Sequence, residues 1–181
     1  HGIKVHYAMK ANPMPALVCH MVGLVDGVDV ASGGELAVAL DAGVAPRDMS
    51  FAGPGKSEAE IAQAIAAGIL LNVESAREVE VVAARSRVLG LPARVAVRVN
   101  PDFELRSSGM KMGGGPKPFG VDAEAVPDLL KDIERRGLAF EGFHIYTGSQ
   151  NLNADSISDA QRKTIELAIR QWARSDAAAA A

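Results

Sequence analysis

The sequence has very few of the residues on which several classes of protein depend. Its single cysteine, Cys19, excludes an internal disulfide and suits a reducing compartment. Aromatic residues make up only 4% of the chain, which argues against base-stacking surfaces for nucleic acid. The net charge of −3 offers no basic face for nucleic acid or an anionic membrane, and no apolar run approaches membrane-spanning length. We therefore expect a cytoplasmic protein that binds neither nucleic acid nor a membrane.

Familiar nucleotide and metal motifs are also missing. Residues 53–57, G-P-G-K-S, resemble the end of a P-loop, but Ser50 stands where the first glycine is required, so Ser57 is predicted to cap a helix. No H-E-x-x-H, C-x-x-C or EF-hand spacing occurs, and we expect no metal site. His6 and His20 belong to no recognisable pattern and are predicted to be structural.

Strand and helix patterns alternate six times along the chain. Short apolar strands are predicted at 5–10, 28–31, 49–52, 69–73, 94–99 and 141–146, each followed by an amphipathic helix. This alternation predicts an α/β fold with parallel strands, either a (β/α) barrel or a doubly wound sheet. A complete barrel needs about 250 residues, so six units form only part of one. We expect residues 1–175 to be a partial barrel and 176–181 an alanine-rich tail that looks non-native, and the 102–119 loop to be functional or mobile.

The period-two pattern of the strands directs ionisable side chains toward one interior. Lys10, Asp29, Arg98 and His144 each share a strand face with small or polar residues, while apolar residues such as Val28, Val97 and Phe143 occupy the opposite faces. Polar groups from four separate strands would have to pair up in a dry core, which costs more free energy than an apolar filling. We therefore predict a shared polar site near the carboxyl ends of the strands.

The first strand is predicted to end in a lysine. Residues 5–10 read V-H-Y-A-M-K, and Asn12-Pro13 follows almost at once, which cannot continue a strand. The carboxyl edge of the strands is where open sheets and barrels hold their chemistry. Burial there would favour the neutral amine and make Lys10 a nucleophile toward a carbonyl. The alternative is a side chain that extends from the strand end into solvent.

Four segments together resemble one known family. They are 7–12 (Y-A-M-K-A-N), 28–35 (V-D-V-A-S-G-G-E), 97–101 (V-R-V-N-P) and 143–150 (F-H-I-Y-T-G-S-Q). They resemble the pyridoxal-phosphate-dependent decarboxylases of the alanine-racemase-like barrel, the group that acts on ornithine, diaminopimelate and arginine. Within that group the chain looks closest to diaminopimelate decarboxylases, and closer still to a bacterial subgroup linked to exosortase and exopolysaccharide loci.

The resemblance implies pyridoxal 5'-phosphate as cofactor and decarboxylation of an amino acid, diaminopimelate-like or carried on another protein. Lys10 and His144 would be the catalytic residues. Lys10 would form a covalent imine with the cofactor, His144 would stack on its ring, and Ser149 would help to bind its phosphate. Asp29 and Arg98 would line the pocket near the cofactor, and Glu35 would support Lys10. A racemase on the same barrel and a pyridoxal-phosphate-binding protein without turnover are the alternatives.

The chain also departs from the family pattern. Three residues, 145–147, separate His144 from the following glycine where diaminopimelate decarboxylases usually have one, and residues 113–118 form an insertion. The family's glycine-rich phosphate loop, its acidic partner for the pyridine nitrogen and its C-terminal β domain are not in the sequence. That domain normally contributes a cysteine and a tyrosine across a dimer interface. We therefore expect an N-terminal fragment with little activity by itself, and a homodimer of the full-length protein.

Overall fold

The computed structural model describes residues 2–101, 119–148 and 152–179, with side chains as far as Ala173. The strands are β1 (His6–Ala8), β2 (Gly27–Val30), β3 (Met49–Phe51), β4 (Leu70–Val73), β5 (Arg94–Asn100), β6 (Val121–Asp122) and β7 (Ala139–Ile145). The α-helices are α1 (Pro15–Val22), α2 (Gly33–Asp41), α3 (Glu58–Ala67), α4 (Ala76–Leu89), α5 (Val126–Arg135) and α6 (Ala154–Ala179). Two 3-10 turns, Met9–Ala11 and Pro46–Asp48, complete the regular elements.

The strands form one parallel sheet in which each strand from β1 to β5 lies beside the next strand in the chain. β1 pairs with β2, β2 with β3, β3 with β4 and β4 with β5, and both β6 and β7 pair with β5. The strand order therefore never reverses, as it would in a doubly wound sheet, and it is the order of a (β/α) barrel. The predicted alternation of parallel strands and crossover helices is confirmed.

Serine residues fix the starts of several helices. The Ser57 hydroxyl accepts from the backbone N–H of Glu60, and the Glu60 carboxylate accepts from the Ser57 N–H at 2.9 Å, which completes a capping box before α3. The predicted cap is confirmed. At α2 the Ser32 hydroxyl accepts from Glu35 N–H at 3.2 Å, but the Glu35 carboxylate accepts from Ala31 N–H instead of Ser32. The capping box at α2 is therefore only half formed.

The hydrophobic core lies between the sheet and its helices. Val28, Val30, Val95, Val97 and Val99 are each at most 1% exposed, and they occupy alternate positions of β2 and β5. Burying each of these side chains contributes about 2 kcal/mol to the free energy of unfolding. Their neighbours along the strands must therefore face the other side of the sheet, which is where the polar residues lie.

No α-helix in the described parts of the chain is long and apolar enough to cross a membrane. The helix α6 extends to Ala179, so the domain boundary predicted at residue 175 falls inside it. The division into 1–175 and 176–181 stays a prediction. Apart from Phe119, the predicted loop 102–119 lies outside the described residues.

Candidate active site

The inner face of the sheet borders a cavity of about 890 Å³. Side chains from β1 to β5, from β7 and from the segments that follow these strands line it, and they include Lys10, Asp29, Arg98 and His144. The prediction that these four residues share one interior is confirmed. Among the described residues, no group of histidine, cysteine, aspartate and glutamate side chains is arranged to hold a metal ion.

Lys10 differs from its prediction in two respects. It lies in the 3-10 turn after β1 rather than in the strand, and its side chain is exposed rather than buried. The physical reason is that Met9 fills the core at 0% exposure, which directs the next residue to the cavity side. Tyr7 stabilises this turn, because its hydroxyl donates to the Asn12 carbonyl at 2.9 Å. The predicted burial of Lys10 is therefore wrong.

A row of hydrogen-bonded side chains crosses the first four strands. This Asp29 network consists of His6, Asp29, Ser50 and Asn72. Ser50 Oγ donates to Asp29 Oδ1 at 2.8 Å, Asn72 Nδ2 donates to Ser50 Oγ at 3.1 Å, and His6 Nδ1 lies 3.0 Å from the same Oδ1. Asp29 Oδ2 has no hydrogen-bond partner among the described residues, and the side chain is 45% exposed toward the cavity. One carboxylate oxygen is therefore fixed while the other remains open to a ligand.

Glu74 is a buried carboxylate that organises Arg98. Its side chain is 2% exposed and accepts from Arg98 Nη1 at 3.1 and 3.2 Å. It also accepts the backbone N–H groups of Gly53 at 2.6 Å and Gly120 at 3.2 Å. Glu74 consequently balances the positive charge of the Arg98 guanidinium and holds it in position at the cavity wall.

Cations and aromatic rings alternate along one side of the cavity. The Arg98 guanidinium carbon lies 5.1 Å from the Phe119 ring centroid and 5.8 Å from that of Tyr146. Lys10 Nζ lies 5.9 Å from the Tyr146 centroid and has no hydrogen bond or ion pair with any described residue. We call Phe119, Arg98, Tyr146 and Lys10 the cation–aromatic row. The amine of Lys10 is thus held near the ring of Tyr146 but remains free to react.

His144 is neutral at pH 7. Burial, and after it the positive charge of Arg98, hold the pKa of the imidazole below its ordinary value of 6.5. The carboxylates of Asp29 and Glu74 act in the opposite direction and are outweighed. Its Nδ1 is buried without a hydrogen-bond partner in the described structure. Leaving a buried polar atom without a hydrogen bond costs free energy, so Nδ1 is a position where a ligand atom or water can bind.

Two predicted site residues are not placed in the cavity. Ser149 lies outside the described residues, so its contact with a phosphate stays a prediction. Glu35 is not among the residues that line the cavity. Its carboxylate accepts from Ala31 N–H at 2.7 Å and so fixes the loop between β2 and α2, where Ala31 does line the cavity. A direct contact between Glu35 and the cofactor also stays a prediction.

Several residues of the site were missed by the sequence reasoning. Ser50 and Asn72 are each a single polar residue between two apolar ones in a short strand, which is a signal that alternation could have used. Glu74 directly follows β4, at the carboxyl edge where site residues are expected. His6 was predicted to be structural, but it lines the cavity and contacts Asp29.

Comparison with known proteins identifies the family of the chain. The family described as pyridoxal-dependent decarboxylase, pyridoxal binding domain, matches residues 1–176. The chain is 42% identical over 144 residues to the L-glutamyl-[BtrI acyl-carrier protein] decarboxylase of Niallia circulans, covering 78% of this chain and 33% of that protein. It is 38% identical over 164 residues to the diaminopimelate decarboxylase of Aquifex aeolicus, covering 89% of this chain and 39% of that protein.

The solved structures give the same result. Diaminopimelate decarboxylase from Helicobacter pylori, complexed with L-lysine, superposes with a TM-score of 0.81 at 31% identity, covering 94% of this chain and 44% of that chain. The chain therefore has the fold of part of these decarboxylases, and it spans between 33% and 39% of the length of the two curated relatives named above. The chain belongs to the family of pyridoxal-dependent decarboxylases, whose pyridoxal-binding domain it matches along nearly its whole length.

Proposed function

We propose that the protein decarboxylates an amino acid and that Lys10 binds its pyridoxal phosphate covalently. The observation that carries the proposal is the unpaired amine of Lys10 at the edge of a cavity that Asp29, Arg98 and His144 also line. The family supports the cofactor, and the activities of the relatives support the type of reaction.

The residues of the cavity suit this cofactor. A primary amine that forms no ion pair can attack an aldehyde carbon and release water. The buried Nδ1 of His144 and the free Oδ2 of Asp29 are positions where polar atoms of a planar ligand can form hydrogen bonds. The ring of Tyr146 offers an apolar face beside the amine. Nucleophile, polar contacts and aromatic wall are therefore all present on this chain.

When bound, pyridoxal phosphate supplies an electron sink for the pair left on the α-carbon as carbon dioxide departs. The residues of the chain supply attachment, orientation and charge placement. Lys10 would hold the aldehyde carbon. Arg98, fixed by Glu74, would keep the wall of the cavity rigid, and Asp29 would accept a hydrogen bond through Oδ2. Neutral His144 would add a polar contact without a further charge.

The substrate is proposed to be a diaminopimelate-like amino acid or an amino acid carried on another protein. The relatives support both, because one acts on a glutamyl group on an acyl-carrier protein and another on diaminopimelate. We also propose a homodimer for the full-length protein. Its mass in solution, measured by light scattering, tests this directly.

Covalent trapping tests the attachment site. The protein is mixed with pyridoxal phosphate, reduced with borohydride, and digested for mass spectrometry. We expect the label on Lys10, and we expect Lys10→Ala to lose both the label and the visible absorbance of the bound cofactor. Lys131→Ala is the matched control, because Lys131 lies on the surface with its side chain 55% exposed. Retention of both signals in Lys10→Ala would overturn the assignment.

Turnover of the full-length protein tests the reaction. Release of carbon dioxide from diaminopimelate, or from a glutamyl group on a carrier protein, is the expected result. Loss of optical purity without carbon dioxide would instead support a racemase. Cofactor binding without any reaction of these substrates would contradict the decarboxylase proposal and favour a binding protein.

A further inference from the structure

Resting on the proposed attachment of the cofactor at Lys10, we propose that His6 is a positioning residue, which holds Asp29 in the orientation that binds the cofactor. His6 lies in β1, and Asp29 lies in the neighbouring strand β2. His6 Nδ1 is 3.0 Å from Asp29 Oδ1, and both side chains line the cavity that Lys10 also lines. Because a carboxylate can only accept hydrogen bonds, the hydrogen lies on Nδ1 and the imidazole is the donor.

The position of the imidazole depends on a missing side chain in the next strand. His6 pairs with Gly27 in the parallel register of β1 and β2. A Cβ added at Gly27 would lie 2.7 Å from His6 Nε2 and 2.8 Å from His6 Cε1, which is closer than side-chain carbons approach such atoms. The imidazole therefore occupies space that any other residue at position 27 would fill. From this space it reaches Asp29, two residues further along β2.

Asp29 Oδ1 has a second donor on its other side. Ser50 Oγ, in β3, donates to this oxygen at 2.8 Å. The Ser50 hydroxyl itself accepts from Nδ2 of the buried Asn72 at 3.1 Å, so its own hydrogen remains directed at Asp29. Donors from β1 and from β3 together restrict the rotation of the carboxylate, and Oδ2 stays open to the cavity.

A carboxylate held in this way binds a ligand better than a mobile one. A side chain that rotates freely must lose that freedom when a ligand binds, which lowers the affinity. His6 and Ser50 restrict Asp29 before the cofactor arrives, so a hydrogen-bond donor of the cofactor meets a preorganised acceptor. Without the imidazole, Oδ1 would keep only the hydrogen bond from Ser50. We therefore expect His6 to affect the cofactor only through Asp29.

Two substitutions of nearly the same shape separate this role from the filling of space. In His6→Asn the amide nitrogen is bonded to Cγ, as Nδ1 is, so it can donate to Asp29 from the same place. His6→Leu has the same branched shape and no donor. We expect full-length protein with His6→Leu to bind pyridoxal phosphate about three- to tenfold more weakly in an absorbance titration, with altered visible circular dichroism. His6→Asn should stay within about twofold of the wild type. A residue that only filled space would tolerate leucine at least as well as asparagine.

A double-mutant cycle tests whether His6 acts through Asp29. In the Asp29→Ala background the carboxylate is absent, so His6→Leu should not weaken binding further. His20→Leu is the control for the loss of an imidazole elsewhere and should bind as the wild type does, since His20 is exposed on α1 and does not line the cavity. Equal weakening by His6→Leu with and without Asp29 would overturn the inference. A loss of affinity in His6→Asn as large as in His6→Leu would overturn it too.

Urea unfolding shows whether each variant keeps its fold. If His6→Leu does not, His6→Phe, which has a ring but no donor, replaces it with the same expected weakening, whereas unfolding of His6→Asn alone would reveal a structural role and refute the inference. Borohydride trapping on Lys10 in the wild type separates the two levels. If no label forms there, the proposed function fails and this inference fails with it. If the label forms and His6→Leu binds as tightly as the wild type, only the inference fails.

Discussion

Replacing Glu74 by glutamine tests how the cavity wall is built. Glutamine has the same shape and keeps one acceptor oxygen, so the hydrogen bond from Gly53 N–H can persist. The substitution removes the negative charge opposite Arg98, whose side chain is only 10% exposed. Removing one partner of a buried ion pair typically costs about 3–5 kcal/mol, because the other charge stays buried without compensation. We expect the free energy of unfolding to decrease by about 3 kcal/mol, the lower end of this range, because a polar acceptor remains beside Arg98.

The measurement is the free energy of unfolding from urea titrations followed by far-ultraviolet circular dichroism. Glu80→Gln is the matched control, since its side chain is 62% exposed and its partner Arg136 lies 3.3 Å away. A surface pair of this kind contributes at most about 1 kcal/mol. The double variant Glu74→Leu, Arg98→Met should recover most of the stability, because apolar residues of similar volume tolerate burial. Equal effects of Glu74→Gln and Glu80→Gln would refute the reasoning.

Three further changes have expected outcomes. Because the pKa of His144 is lowered in the folded chain, the unfolded chain binds a proton at higher pH than the folded chain does, so the free energy of unfolding should fall as the pH drops below about 6.5. His144→Gln should reduce that fall and His20→Gln should not, and urea titrations across pH measure both. Ser57→Ala removes a helix cap and should cost about 1 kcal/mol in the same titration, with Ser57→Thr as the mild control. Gly27→Ala would make its Cβ clash with the backbone oxygen of Asp48, so we expect a lower thermal midpoint, and an unchanged midpoint would contradict this expected clash.

The faces of the strands could be predicted from sequence because alternation is a local property. The valines of β2 and β5 face the core, and Asp29 and Arg98 face the cavity, as period two requires. Lys10 was correctly placed on the cavity side but wrongly predicted to be buried. Its exposure depends on a turn that begins at Met9, and no residue pattern in the first strand marks where the strand stops. Element type was therefore easier to predict than the last residue of an element.

The buried charges could not be predicted, because they depend on contacts between distant elements. Lys56 illustrates this: its side chain is 1% exposed and donates to the carbonyls of Gly53 and Asn72 and to Glu78 Oε1. The sequence suggested a failed phosphate motif at Lys56 and nothing more. Only the pairing of β3 with β4 brings the loop after β3 to the start of α4, where Glu78 lies. Such pairs require the register of the sheet, which no single segment contains.

The position of Tyr146 beside Lys10 has the same origin. His144 and Tyr146 share a strand face, so alternation alone cannot tell which of them lies beside Lys10. Their placement depends on an irregularity in β7, where Val95 pairs with Phe140 but Ala96 pairs with Gly142, leaving one extra residue in β7. Gly142 has a φ of 145°, a conformation that favours glycine, and the bulge moves every later side chain of β7 one step along β5. The ring that lies beside Lys10 is thus decided by this bulge, and restoring regular pairing by deleting one residue there should remove Tyr146 from Lys10.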